Sequence, residues 1–218
     1  MEPGENKRPW VWTAPDIGAR TDWQYTFTSS DLTEIEGALE SSKRTGKRAG
    51  ARLDTLEREH FPLPKLSAAL ANIAACLSDG PGIGLLRGLP LTRYERTDIE
   101  RIFCGIGTYL GTSVSQSARG DRLGRVMDIG EPGRYYTVGG ALEMHMDPTD
   151  IVGLLCLRKA VSGGESRVAS AVAVHDTIGA ERPDLLRCLT TGFYYSSASR
   201  DRVAGDVAVS PERIPVFS

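Results

Sequence analysis

The stretch Glu143-Met144-His145-Met146-Asp147-Pro148 holds the side chains with the clearest capacity for chemistry. His145 and Asp147 are separated by one residue, and on an extended strand side chains i and i+2 leave the same face. An imidazole nitrogen and a carboxylate oxygen so placed can address one ion about 2.0–2.2 Å from each. A third ligand from elsewhere would complete the 2-His-1-carboxylate facial triad of non-haem Fe(II) chemistry, with positions left open for substrate and O2. The plain alternative is a surface turn before Pro148, because a His-x-Asp spacing also arises by chance. The elements around the pair must decide between the two.

Composition narrows the field. The chain has 218 residues, 40% of them hydrophobic and 25% charged, with a net charge of −2. That is enough polypeptide to bury a real core in one large domain or two small ones. The near-neutral balance disfavours nucleic acid and anionic membrane as partners. Lys7-Arg8 and the run from Lys43 to Arg48 are too short and interrupted to form a polyanion patch. Cys76, Cys104, Cys156 and Cys188 are widely spaced in apolar surroundings, which predicts buried free thiols of a reducing compartment. The polar start from Met1 to Lys7 lacks an apolar secretion region, and no stretch approaches the roughly 20 apolar residues of a membrane span. A soluble cytoplasmic protein is expected.

The elements divide near residue 112. Residues 1–22 carry Pro, Gly and Trp without periodicity and predict an irregular arm, with Trp10 and Trp12 packing on the body. The stretch 23–111 predicts a helical front. A first helix is expected from an Asp31 cap with Glu34 completing a capping box, through Leu32, Ile35 and Leu39, to about Ser42. The basic residues from Lys43 to Gly50 then read as a loop. Leu66, Leu70, Ile73 and Leu77 mark a second helix, stopped by Asp79-Gly80-Pro81-Gly82. Residues 83–88 read as a short buried strand. Its glycines fit neither G-x-G-x-x-G nor the lysine-bearing phosphate loop, which excludes a nucleotide site here. Ile99, Ile102, Phe103, Ile106 and Leu110 define a third helix, with Thr97 and Asp98 as candidate caps.

From Thr112 onward, glycine turns separate short apolar or β-branched runs: 124–129, 134–138, 141–146, 151–158 and 166–171. This spacing predicts strands of a sandwich or jelly roll. A short helix over 172–179, another from Pro183 enclosing Leu185, Leu186 and Leu189, and a strand at 193–196 complete the pattern.

The run from Phe61 to Phe217 resembles the TauD/TfdA family of Fe(II)- and 2-oxoglutarate-dependent dioxygenases. Gly84-Leu85-Leu86-Arg87-Gly88-Leu89-Pro90 is similar to an early family strand. Gly107-Thr108-Tyr109-Leu110-Gly111 with Ser115-Gln116 is similar to a following family segment. His145-Met146-Asp147 occupies the family's H-x-D slot. Gly163-Gly164-Glu165-Ser166 matches its G-G-[DE]-[TS] turn, and Arg182-Pro183-Asp184-Leu185-Leu186 matches the next helix. The resemblance implies an α+β fold, a single domain over 1–218 with a double-stranded β-helix (a clavaminate synthase-like jelly roll) behind the helical front. It implies His145 and Asp147 as two iron ligands. It also implies Ser166, at the position of a family threonine, as a hydroxyl donor to 2-oxoglutarate. A plain turn residue remains the alternative for Ser166. The activity so implied is oxidation of a small organic substrate with release of succinate and CO2, using Fe(II), 2-oxoglutarate and O2.

One part of the family's machinery is not recognisable. The third ligand in such enzymes is a distal histidine, followed by an arginine for the cosubstrate's far carboxylate. The chain has only His60, His145 and His175. His60 reads as a surface histidine and His175 as a helix residue where the family has no ligand. Neither Arg200 nor Arg202 is marked by spacing as the clamp. The jelly roll is therefore expected to be incomplete at the C-terminus, with open strand edges and uncovered apolar surface. A shortened gene product, a piece of a longer enzyme, or a partner subunit supplying the remainder (a homo-oligomer among the options) would each account for this. A catalytically inactive remnant or binding subunit of the same fold is the competing reading. A hydrolase or isomerase with a cupin-like divalent metal site is disfavoured, because no G-x-S-x-G motif or Cys-His arrangement is present.

Overall fold

The computed structural model describes residues 8–49, 53–116, 120–127, 141–147, 149–197 and 208–217. They belong to two compact units, one of residues 20–168 and one of residues 1–19 with 169–218.

The larger unit is built on helices. Strand β1 (Gln24–Thr26) leads into α2 (Ser29–Ala49), α3 (Leu66–Ser78) and strand β2 (Leu85–Arg87), and α4 (Arg96–Gly107) follows. β1 and β2 are parallel, with Tyr25 opposite Leu86. Parallel partners need a long crossover, and here α2 and α3 supply it. The apolar stripes behave as their spacing predicts. Leu66, Leu70 and Ile73 are buried on α3, and Ile99, Ile102 and Ile106 on α4. They join Phe27, Ile35, Leu39, Phe61 and Leu63 in the core.

Four expectations about the helix ends are corrected. α2 starts at Ser29, and its opening is fixed by a reciprocal pair. The Thr28 amide donates to the Asp31 carboxylate at 2.7 Å, and the Asp31 amide donates to the Thr28 hydroxyl at 3.2 Å. Glu34 is thereby released for a tertiary role, accepting from the amides of Lys65 at 2.7 Å and Leu66 at 3.3 Å at the start of α3. At the other end, α2 runs seven residues past Ser42, through the stretch expected to be a loop. The extension opens on Lys43, whose ammonium lies 3.2 Å from Glu40 and 2.7 Å from Asp98 on α4. Asp98 is thus a tertiary ion-pair partner and not a cap. α4 stops at Gly107, before Leu110.

The expected strands behave differently. Among the described residues between 111 and 168, no helix or strand forms. The runs 141–146 and 151–158 are not strands, nor is 124–127, and 166–170 is irregular before a helix begins. The run 134–138 lies outside the described residues. Strands persist only when their backbone groups are paired and one face is covered, and among the described residues neither condition is met here. Leu142, Met144, Val152 and Leu154 are all exposed, Leu154 by 72%. The described residues therefore show an α+β arrangement with two small strand pairs, not a double-stranded β-helix.

In the smaller unit the arm is not wholly irregular, since it contains α1 (Ala14–Gly18). Trp12 is buried and Trp10 exposed. α5 (Ala171–Glu181) begins at Ser170, whose hydroxyl accepts from the Ala173 amide at 3.0 Å and donates to the Trp10 carbonyl at 2.6 Å. Arg8 pairs with Asp176 on the same helix. α6 (Pro183–Thr191) starts with its proline as predicted, but Leu185 is exposed and only Leu186 and Leu189 are half-buried. Strands β3 (Ser196–Ser197) and β4 (Ala208–Val209) pair antiparallel, and Phe193 bridges Ile214. The four thiols are free, but none is buried as expected: Cys76 and Cys104 are half-buried and Cys156 and Cys188 exposed. Among the described residues no helix is long and apolar enough to cross a membrane.

Two stability predictions follow from the larger unit. A Cβ on Gly105 would lie 2.3 Å from the Phe61 ring, which has no exposed surface. Gly105→Ala is expected to cost about 1–3 kcal/mol, read as a lower urea midpoint. Asp31 is 8% exposed; burial pushes its carboxyl up, but hydrogen bonds from Thr28 and Tyr25 outweigh that and hold it below the ordinary value. A carboxyl whose folded pKa is depressed adds stability above its unfolded value of about 3.9 and loses it as pH falls through the folded value. Asp31→Asn is expected to cost about 1–3 kcal/mol at neutral pH. The gap from the parent should narrow below about pH 4 in urea titrations; a gap independent of pH would refute the role of the charge.

Candidate metal centre

The centre is built from a short irregular stretch. His145 Nε2 lies 4.0 Å from Asp147 Oδ1, with both side chains about half exposed at 49% and 50%. His145 Nδ1 lies 2.8 Å from the Glu143 carbonyl oxygen. The Thr149 amide donates to the Asp147 carbonyl at 2.8 Å, which turns the chain just after the pair. The two side chains were expected to share a face because of strand geometry. They converge without a strand, through these local bonds.

Donor type and donor number test the fit to iron separately. A neutral imidazole nitrogen and a carboxylate oxygen suit Fe(II). Two donors at right angles, each about 2.1 Å from one ion, lie about 3 Å apart, so the pair must close by about 1 Å to share it. Half-exposed side chains on a local turn can make that movement. Donor number is short. Among the described residues no group of three His, Cys, Asp or Glu side chains is placed to hold a metal. His145 and Asp147 thus fit as a two-donor half of a facial site.

The other histidines are engaged elsewhere. His60 Nδ1 accepts from the Glu57 amide at 3.2 Å. His175, on α5, places Nδ1 3.0 Å from the Asp176 carboxylate and stands edge-on to Phe217 with ring centroids 5.2 Å apart. The hydrogen bond from His175 is the main reason the Asp176 carboxyl is held below its ordinary value.

Ser166 follows Gly163 and Gly164, whose φ angles of +70° and +79° are left-handed. Glycine meets that requirement without a Cβ penalty, so the Gly-Gly turn has a backbone cause. Ser166 is exposed, and no hydrogen bond joins it to His145 or Asp147 among the described residues. Two clefts of about 370 and 390 Å³ lie elsewhere, around Phe193 and around Tyr109, and neither includes the pair. Arg200 and Arg202 lie outside the described residues. The contribution that residue types could not reveal is the Glu143 carbonyl, since it is a backbone group and carries no sequence signal.

Residues 45–217 match the family described as taurine catabolism dioxygenase TauD, TfdA family. The chain belongs to the TauD/TfdA family. Among relatives, it is 31% identical over 197 residues to FR-33289 synthase of Streptomyces rubellomurinus, covering 88% of this chain and 56% of that protein. It is 28% identical over 199 residues to a taurine hydroxylase-like protein of Stachybotrys chartarum, covering 86% of this chain and 51% of that one. The chain therefore spans about half the length of these curated relatives. Membership of the TauD/TfdA family makes a dioxygenase-type oxidoreductase the class to which the His145–Asp147 pair has to be related.

Proposed function

We propose that this chain carries part of an Fe(II)- and 2-oxoglutarate-dependent oxygenase centre acting on a small organic substrate. The observation that carries the reading is the approach of His145 Nε2 and Asp147 Oδ1 to 4.0 Å in a member of a dioxygenase family. In this reading His145 and Asp147 hold the iron from one side, together with a donor from outside the described residues. Ser166 donates its hydroxyl proton to a carboxylate oxygen of 2-oxoglutarate, a charge-assisted bond that orients the cosubstrate. When bound, iron with 2-oxoglutarate and O2 supplies an oxidation in which the cosubstrate leaves as succinate and CO2. The chain's own share is to fix two coordination positions, orient the cosubstrate and present the apolar flanks Met144 and Met146.

A second reading is a catalytically inactive binding subunit of the same family. It is favoured by the two-donor count among the described residues. Two donors hold a divalent ion far less firmly than three, so this reading expects metal contact without turnover.

The test is an anaerobic Fe(II) titration of the chain with 2-oxoglutarate, followed by its metal-to-ligand charge-transfer absorption, and a succinate assay in air. Binding is expected to be weak, and to fall at least tenfold on His145→Ala or Asp147→Ala. Binding that is indifferent to both substitutions sinks the assignment of the pair. Succinate release that depends on His145 supports the oxygenase, whereas metal binding with no succinate supports the binding subunit.

A further inference from the structure

We infer that the cleft at the end of α6, in the smaller unit, is a binding site for a small aryl carboxylate. It goes beyond the proposed function, since none of His145, Asp147 and Ser166 lines this cleft.

The arginines of the smaller unit divide into two kinds. Among its described residues, Arg8 pairs with Asp176 and Arg182 with Asp184. Arg187 and Arg213 have no carboxylate partner among the described residues, and both line the cleft. A guanidinium presents its donors in a planar fork that matches the two oxygens of a carboxylate. No acidic side chain lines the cleft to compete for those donors. The other walls are rings. Phe193 and Tyr194 are exposed by 50% and 59%, and the Arg213 guanidinium lies 5.7 Å from the centroid of the Tyr194 ring. The volume of about 370 Å³ falls within the range of small-molecule sites, which join apolar walls to a few polar groups.

The walls are tied together by the backbone. Phe193 and Ile214 exchange two hydrogen bonds, of 3.1 and 2.8 Å, and the Val216 amide donates to the Leu189 carbonyl at 2.8 Å. Gly192 sits at this junction with φ +80°, and a Cβ there would lie 2.3 Å from the Ile214 carbonyl oxygen. The carbonyl end of a helix disfavours an anion. Here the Arg187 carbonyl accepts from the Thr191 hydroxyl, and those of Cys188 and Leu189 from the amides of Gly192 and Val216, so these oxygens are already partnered.

The exposed thiol of Cys188 also lines the cleft and reports on its occupancy. The test measures alkylation of the full chain by iodoacetamide, a neutral reagent, at constant ionic strength with increasing benzoate. Mass spectrometry reads each cysteine separately, and exposed Cys156, outside the cleft, is the internal control. Benzoate is expected to slow Cys188 alkylation saturably and to leave Cys156 unchanged. Benzyl alcohol has the ring without the charge, and inorganic phosphate the charge without the ring; each should need a concentration at least about fivefold higher for half protection. Arg187→Gln and Arg213→Gln, both at exposed side chains, should each raise the half-protecting benzoate concentration by about fivefold or more. Tyr194→Ser should raise it by about twofold or more. Absence of saturable protection, equal protection of Cys156, benzyl alcohol or phosphate matching benzoate, or indifference to both arginine substitutions would each overturn the inference. The comparison of the three probes on the parent chain decides it even if a variant fails to fold.

Discussion

Phe61 lies so close to the backbone of Gly105 that a single methyl group would overlap its ring. The absence of a side chain at Gly105 lets α4 approach the loop ahead of α3, and that approach organises the larger unit. Tyr109 fixes the same loop from the other side, its hydroxyl donating to the Phe61 carbonyl and accepting from the Leu63 amide. Leu63 and Leu66 then follow into the core with almost no exposed surface. Glu34 fastens the next turn by capping α3 from α2. Apolar contact fills this interior, but bonds between elements set where each helix begins and how close it can come.

The donor pair lives under a different regime. Among the described residues it sits in a stretch without ladder partners, beside exposed Leu142, Met144 and Met146. Its geometry is set by bonds that span only two residues, Glu143 to His145 and Asp147 to Thr149. Such bonds can keep two ligands in register with each other, while dense packing would be needed to hold them against a third. The half-exposed pair can therefore be oriented and still loose, which matches a separation about 1 Å longer than a shared ion requires.

The helical front was largely readable from sequence because its signal is local: apolar residues every three or four positions must face one side. What the sequence could not reveal was tertiary. Glu34 has the spacing of a capping-box partner, yet its carboxylate caps a helix 31 residues away. Lys43 looks like loop charge until Asp98, 55 residues on, pairs with it from α4. The strands expected at 141–146 and 151–158 did not form for a related reason. Alternation shows that a segment can pair, but pairing needs a second segment, and residue types alone do not provide one. For the candidate centre, the His-x-Asp spacing was legible and the convergence of its side chains followed. The direction of the Glu143 carbonyl was not legible, since every residue has one.

Ser170 spends its hydroxyl twice, accepting at the start of α5 and donating to Trp10, 160 residues earlier. Arg8 reaches Asp176 across a similar interval of 168 residues. Contacts this distant in sequence form late, because a long loop must close before they return any energy. During synthesis residues 8–19 emerge before residues 169–217 and wait for them before these partners exist. Residues 20–168, which contain their own core, can order in the meantime. Residues 8–19 are thus made before their partners and fixed only after them.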